Sequence, residues 1–314
     1  MLQYMIILLD DTSTSFCHYE VNKTEKRLIS LDDLRGGICL AMKENLTIQF
    51  VYPDYNLPQE YRDAIRTIDH SNFMPHGFAT NDADVLTFNG WGLIEESQNL
   101  ESQVLVIRTS LLDMITHKKE IKDLLNIVQR LNIVISDVEN FTDEQQETYC
   151  SFLKDLGGEL EKQYVNGKSP QLNLLTDRMM LAGMNNCGAG DTCITLAQNG
   201  KFYICPAFYY ENADDYVGDL VTGIDIKNNQ LYKLEYAPIC RNCDAWQCKR
   251  CIWLNRKLTL EVNTPSHEQC VIAHLERNAS GELLSSIRKQ GSFLPQNPEI
   301  PIVDSVDPFD IIIN

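Results

Sequence analysis

Eight of the chain's eleven cysteines fall between Cys187 and Cys270, and this clustering constrains the fold more than any other feature. They read Cys187-x5-Cys193-x11-Cys205, then Cys240-x2-Cys243-x4-Cys248-x2-Cys251, then x18 and Cys270. Thiolate is a soft ligand that selects zinc, copper(I) or iron–sulfur clusters. Two [4Fe–4S] clusters need about eight thiolates, four each. The cluster of cysteines supplies that number, and Cys17, Cys39 and Cys150 lie apart from it.

Two other uses of cysteine have to be weighed. Disulfide-dense domains are typically small and secreted. This chain has 314 residues and begins MLQYMIILLDD, with no positive n-region before its short apolar run. No apolar stretch is long enough to span a bilayer. A reducing, cytoplasmic compartment is the expectation, and clustered thiols there point to metal. Zinc stays open. Paired C-x2-C knuckles are a zinc signature, but ribbon knuckles are usually a dozen or more residues apart. Only four residues separate Cys243 from Cys248, and a zinc site made from the knuckles leaves Cys187, Cys193, Cys205 and Cys270 without a role.

One of these cysteines sits on a readable local element. Gln198-Asn199-Gly200 is a turn signal. Residues 201–205 form a short aromatic and β-branched strand. Pro206 has no N–H to donate and ends the ladder. A hairpin is therefore expected to present Cys205.

This order of cysteines resembles the SPASM domain, the C-terminal iron–sulfur module of many radical SAM peptide-modifying enzymes. That domain has a first cysteine pair, Gly-x4-Cys on a hairpin, C-x2-C-x5-C-x3-C, and a last cysteine. Here Gly200-Lys-Phe-Tyr-Ile-Cys205 is Gly-x4-Cys, and the knuckle pair is one residue shorter in each of its last two gaps. The resemblance covers residues 185–275, and it implies interleaved ligands. Cys187, Cys193, Cys205 and Cys251 would hold one [4Fe–4S] cluster; Cys240, Cys243, Cys248 and Cys270 would hold the second.

The first 170 residues read as α/β. Strand-like apolar runs occupy 5–9, 46–51, 85–88, 104–107 and 133–138, with helical patterns between them. Ser30-Leu-Asp-Asp33 is a capping-box-like helix start, and Thr142-Asp-Glu-Gln145 is a capping box. Residues 111–131 read as one long amphipathic helix. Alternating strands and helices imply parallel βα units, in a barrel, a partial barrel or an open doubly wound sheet. The resemblance favours a degenerate radical-SAM-like partial (β/α) barrel followed by the cysteine-rich SPASM-like domain. The division expected is 1–170, 171–294 and a tail of 295–314, with the boundary near Asn166-Gly167 and Pro170.

The radical SAM motif C-x3-C-x2-C is absent after the first strand. With Cys17 in its last position, the other two would be Asp10 and Thr14. After the second strand, where such enzymes carry Gly-Gly-Glu-Pro, this chain has Tyr52-Pro53-Asp54-Tyr55. The chain thus resembles a radical SAM/SPASM enzyme that has lost its catalytic cluster site. More narrowly it is similar to the CXXX repeat peptide maturase family. The loop Ser15-Phe16-Cys17-His18-Tyr19 and the segment from Cys251-Ile-Trp-Leu-Asn-Arg-Lys to Pro265-Ser-His-Glu-Gln-Cys270 carry that likeness.

The formal charge of −17 disfavours nucleic acid and an anionic membrane. It suits either a cationic peptide or mere solubility. Lys249-Arg250 and Arg256-Lys257 flank Cys251, either stabilising an anionic cluster or lying in a solvated loop. His267, three residues before Cys270, is a candidate donor to a cluster sulfur, or simply exposed. Gly188-Ala-Gly190 gives Cys187 and Cys193 a tight turn, and Trp246 and Trp253 are expected to shield the knuckles. Cys39 and Cys150 fall in helical patterns as candidate core residues. The tail either adds as a strand to a neighbouring sheet or frays.

The resemblance implies an accessory iron–sulfur protein in the maturation of a ribosomally made peptide. Its partners would be a radical SAM peptide maturase and a cysteine-containing precursor peptide, and its role scaffold, peptide binder or electron relay. Two alternatives stay open. One is a peptide-modifying enzyme with a divergent SAM or substrate site, for which Asp10, Asp11, Cys17 and His18 lie at the expected barrel mouth. The other is a zinc-stapled interaction module. No nucleophile or base is named by the sequence.

Overall fold

The computed structural model describes residues 1–78, 82–92, 94, 100–101 and 103–302. In chain order the first elements are β1 (Tyr4–Leu8), α1 (Leu31–Glu44), β2 (Thr47–Val51), α2 (Gln59–Ile65), β3 (His70–Pro75) and β4 (Val85–Asn89). Next come β5 (Val104–Thr109), α3 (Leu111–Thr116), α4 (Lys118–Leu125), β6 (Arg130–Ile135), α5 (Asp143–Val165), β7 (Gln171–Leu172) and α6 (Thr176–Met180). Then follow β8 (Cys193–Leu196), β9 (Phe202–Tyr203), α7 (Pro206–Glu211), β10 (Gly218–Asp219), β11 (Gly223–Ile224), α8 (Ile252–Thr259) and α9 (His267–Gln290). The chain forms two compact units.

The first unit comprises Met1–Asn89 and Cys187–Tyr236. Its strands lie in the order β4-β3-β2-β1-β8-β9, parallel except for the β8–β9 hairpin. Four of the five residues of β1 are buried, as befits a parallel strand covered on both faces. Met5 stands opposite Ile48 on one side and Ile194 on the other. Ser30 caps α1, its hydroxyl accepting from the Asp33 N–H at 3.0 Å. Leu34, Ile38 and Ala41 form the buried stripe of that helix, and Asn45 ends it in the left-handed region with φ 55°. Ile7, Ile38, Phe50, Leu196 and Phe202 share one core. Each such large apolar side chain contributes about 1.5–3 kcal/mol by leaving water. Strand β3 was not legible in the sequence, because His70, Ser71 and Asn72 hide the apolar alternation.

The second unit comprises Gly90–Asn186 and the chain from Ala237 onward. Its strands lie in the order β7-β6-β5, all parallel. The single helix expected over 111–131 is in fact two, α3 and α4, broken at His117 with φ −93° and ψ 30°. Strand β6 begins at Arg130, earlier than its apolar run suggests, because pairing sets Arg130 opposite Val104. The capping box of Thr142 and Gln145 opens α5, which ends before Asn166-Gly167. A second capping box, Ser266 with Gln269, opens α9. Cys39 and Cys150 are exposed, which corrects their reading as core residues; each lies on the helix face away from the buried stripe.

Of the expected tail, residues 295–302 lie within the described residues and 303–314 outside them. The Arg288 guanidinium gathers the carbonyls of Phe293, Leu294 and Asn297. Ile300 is buried against Gly281, where an added Cβ would meet the Ile300 carbonyl oxygen at 2.9 Å. Among the described residues no helix is long and apolar enough to cross a membrane.

Candidate metal centre

The knuckle segment folds as a series of tight turns that aim thiols at one pocket. Cys240 opens a 3-10 turn, Cys240–Asn242, and its carbonyl accepts from the Cys243 N–H at 3.1 Å. The Ala245 N–H points at the Cys243 sulfur at 3.4 Å. The Ala245 carbonyl accepts from the Cys248 N–H at 3.0 Å, closing the second turn. Arg250 adopts φ 46°, a conformation L residues rarely take, and reverses the chain ahead of Cys251. Cys270 comes from the first turn of α9, whose start is fixed by the Ser266–Gln269 box. Cys240, Cys243, Cys248 and Cys270 all line this pocket, with Arg250, Gln269 and His274. They share a lining, but among the described residues no three Cys, His, Asp or Glu side chains surround a single ion position.

Burial governs the electrostatics here. It pushes the Cys240 thiol up to about 11, with Arg250 pulling the other way. It pushes Cys248 up to about 12, opposed by the Arg250 N–H, and it raises Cys270 further. Cys243 is raised by burial and drawn back by the Ala245 N–H, Arg277 and Arg178. The metal-free site is thus four neutral thiols, and loading it would release protons. Two guanidiniums stand beside it almost wholly inside the protein: Arg178 is 3 % exposed and Arg277 1 %. Both meet the one carboxylate of Asp244. Arg178 also donates to the Asp244 carbonyl at 2.7 Å and lies over the Trp246 ring at 3.9 Å. Buried cations are costly without counter-charge. Thiolates that hold a metal supply it, so the donor set and its surroundings fit an anionic cluster.

His274 escaped the sequence reading. It is 2 % exposed, and its Nε2 lies 3.5 Å from the Cys243 sulfur. Burial lowers its pKa to about 4, with Arg277 adding to the effect. His267, the histidine singled out beforehand, is exposed at the first position of α9. The signal that would have found the right one is helical: Cys270, His274 and Arg277 are spaced i, i+4, i+7 on one face. Neither Trp246 nor Trp253 lines the pocket.

The remaining cysteines divide between the units. Cys187, Cys193 and Cys205 belong to the first, Cys251 to the second. Gly188 (φ +71°) and Gly190 (φ +77°) turn the chain between Cys187 and Cys193. A Cβ on Gly188 would meet the Thr192 hydroxyl at 2.1 Å, and one on Gly190 the Tyr232 ring at 2.7 Å. Only glycine suits both the angle and the space. Burial, then the nearby Cys187, pushes the Cys193 thiol up to about 12. Cys205 is the residue before α7, with Pro206 at the first helical position.

The loop after β1, where a radical SAM motif would lie, is packed with hydrogen bonds. Asp10 is fully buried; one oxygen accepts from the Thr12 N–H at 2.8 Å, the other from the Tyr55 hydroxyl at 2.7 Å. Asp11 accepts from the Tyr209 hydroxyl and from Gln198 at 3.1 Å, and pairs with Lys23 at 3.2 Å. The Thr14 and Thr87 hydroxyls meet at 2.7 Å, and the Ser15 hydroxyl donates to the Tyr19 carbonyl at 2.6 Å. Both carboxylates considered for a barrel mouth are therefore anchors of the loop. Cys17 is half-buried.

These elements form a fold of the radical-SAM type: an α/β partial (β/α) barrel with a cysteine-rich C-terminal region. Solved structures of anSMEcpe are among those with a similar fold. The native protein with bound AdoMet matches with TM-score 0.61 at 14% identity, over 91% of this chain and 99% of that one. The hexahistidine-tagged form with AdoMet gives 0.63 at 11%, over 91% and 96%. The native form with AdoMet and Cp18Cys peptide gives 0.61 at 12%, over 92% and 100%. No protein-family model matches the chain, and no curated protein matches it.

Proposed function

We propose that this chain is an accessory iron–sulfur protein in the maturation of a ribosomally made peptide, working beside a radical SAM partner enzyme. One observation carries the iron–sulfur part: Cys240, Cys243, Cys248 and Cys270 line one pocket beside buried Arg178 and Arg277. These four cysteines would hold one [4Fe–4S] cluster, and Cys187, Cys193, Cys205 and Cys251 the other. Such clusters carry single electrons and tie together the loops that ligate them. The peptide part draws on the likeness to anSMEcpe, whose structure has been solved with AdoMet and the Cp18Cys peptide. The accessory role draws on the β1 loop, which carries one cysteine and a closed set of hydrogen bonds around Asp10 and Asp11. Lys23, Arg27, Gln198 and Tyr209 hold Asp11, and Tyr55 holds Asp10, which supports a loop shaped by its own contacts.

The deciding experiment is anaerobic purification followed by iron, sulfide and zinc counts with a visible spectrum. About eight irons and eight sulfides per chain are expected. Zinc without sulfide would replace this reading with a zinc-stapled interaction module. On the loaded protein, equilibrium dialysis against radiolabelled SAM is expected to show no binding. Saturable binding with SAM cleavage would make the chain an enzyme in its own right.

A further inference from the structure

We propose that His274 sets the reduction potential of the centre held by Cys240, Cys243, Cys248 and Cys270, donating a hydrogen bond from Nε2 to the Cys243 sulfur. The inference rests on the iron–sulfur reading above and adds a positioning residue to it.

The geometry is specific. His274 lies one helical turn beyond the ligand Cys270 on α9, which holds both on the same face. The imidazole is 2 % exposed and lines the cysteine pocket. Its Nε2 stands 3.5 Å from the Cys243 sulfur, while Nδ1 has no hydrogen-bond partner among the described residues. A neutral imidazole carries one N–H, and a metal-bound thiolate is an acceptor with no proton to give. The tautomer that satisfies the site therefore has its proton on Nε2. Cys243 then takes two donors, His274 and the Ala245 N–H at 3.4 Å.

A donor to a ligating sulfur withdraws electron density from it, and hydrogen bonds to the sulfurs are among the factors that set cluster potentials. The state with more negative charge on sulfur, the reduced one, gains most. His274 thus makes this centre easier to reduce than its thiolates and burial alone would.

The test uses the full-length protein purified anaerobically, as wild type, His274→Leu and His274→Gln. Leu removes the donor at similar volume; the Gln amide restores an N–H at about the same reach. Iron and sulfide are counted, and both cluster potentials are read by redox titration followed by electron paramagnetic resonance. The expected result is full iron in all three proteins. In His274→Leu one of the two potentials falls, the other stays, and His274→Gln returns the shifted one toward wild type. Unchanged potentials in a fully loaded His274→Leu protein would overturn the proposal, as would a drop that His274→Gln fails to reverse. Loss of half the iron in both variants would also overturn it, making His274 a ligand or a packing residue. Zinc in place of iron in the wild type defeats the underlying reading, an outcome plainly separate from a loaded protein whose potentials ignore residue 274.

Discussion

Glu276 offers a prediction that can be worked through from the structure. The carboxyl is 8 % exposed on α9, and its Oε1 accepts from the Tyr149 hydroxyl of α5 at 2.7 Å. Burial raises its pKa from 4.5 to about 7, opposed by the hydrogen bonds from Tyr149 and Gln247 and assisted by Asp177. A carboxyl whose folded pKa lies above its unfolded value favours the folded state fully below the unfolded pKa. That favour is lost as pH rises from about 4.5 to about 7, because the unfolded chain gives up its proton first. The span corresponds to about 3 kcal/mol at pH 8, on the usual conversion of pKa to free energy. Glu276→Gln keeps the Tyr149 acceptor and abolishes the titration. The roughly 3 kcal/mol span already contains the hydrogen bonds to the charged oxygen, since these act on the folded pKa. The variant should match wild type near pH 4.5 and exceed it by roughly 3 kcal/mol at pH 8. With a urea slope of roughly 3 kcal/mol per molar, the midpoint rises by about 1 M. The assay is anaerobic urea unfolding at four pH values on proteins of matched iron content. Parallel midpoint-versus-pH curves for the two proteins would refute the reasoning, since Glu276 would then not titrate differently on folding.

Three further outcomes are expected. Gly188→Ala places a Cβ 2.1 Å from the Thr192 hydroxyl at φ +71°, so it should cost at least about 1–2 kcal/mol and lower the iron count by about half, read by thermal unfolding and iron assay. Cys270→Ser should remove about four irons while leaving the other four, and a count unchanged from wild type would take Cys270 out of the ligand set. Ser266→Ala removes the hydroxyl that accepts from the Gln269 N–H and should cost about 1 kcal/mol in urea unfolding, with iron content held if α9 still presents Cys270.

The parts of the molecule that were legible in advance are those whose physics is local. The Ser30 cap, the Thr142–Gln145 box and the Gly200 turn each lie within a few residues of chain and were found where the pattern put them. The buried run of β1 was legible for the same reason. Local patterns misled where two elements share one periodicity. Residues 111–131 keep a helical stripe across His117, and only the backbone break there separates α3 from α4. They misled again over Cys39 and Cys150, since a helical segment has an outer face too.

The candidate centre divides in the same way. Spacing marked the eight clustered cysteines as candidate metal ligands, because thiols gathered in one stretch of a long chain have few other uses, and their division into two groups of four rested on a resemblance. Which other side chains meet them is a matter of distances through space. Arg178 precedes Asp244 by 66 residues, and His274 follows Cys243 by 31. No periodicity spans such intervals. The sequence by itself determined where the clustered thiols fall, that no C-x3-C-x2-C follows the first strand, and the α/β character, since each depends on residue type and short-range order. The tertiary structure decided that Cys240, Cys243, Cys248 and Cys270 share one pocket, that His274 rather than His267 faces it, and that Asp10 and Asp11 are spent holding a loop. Those outcomes depend on the packing of elements far apart in the chain, and burial and electrostatics act only once that packing exists.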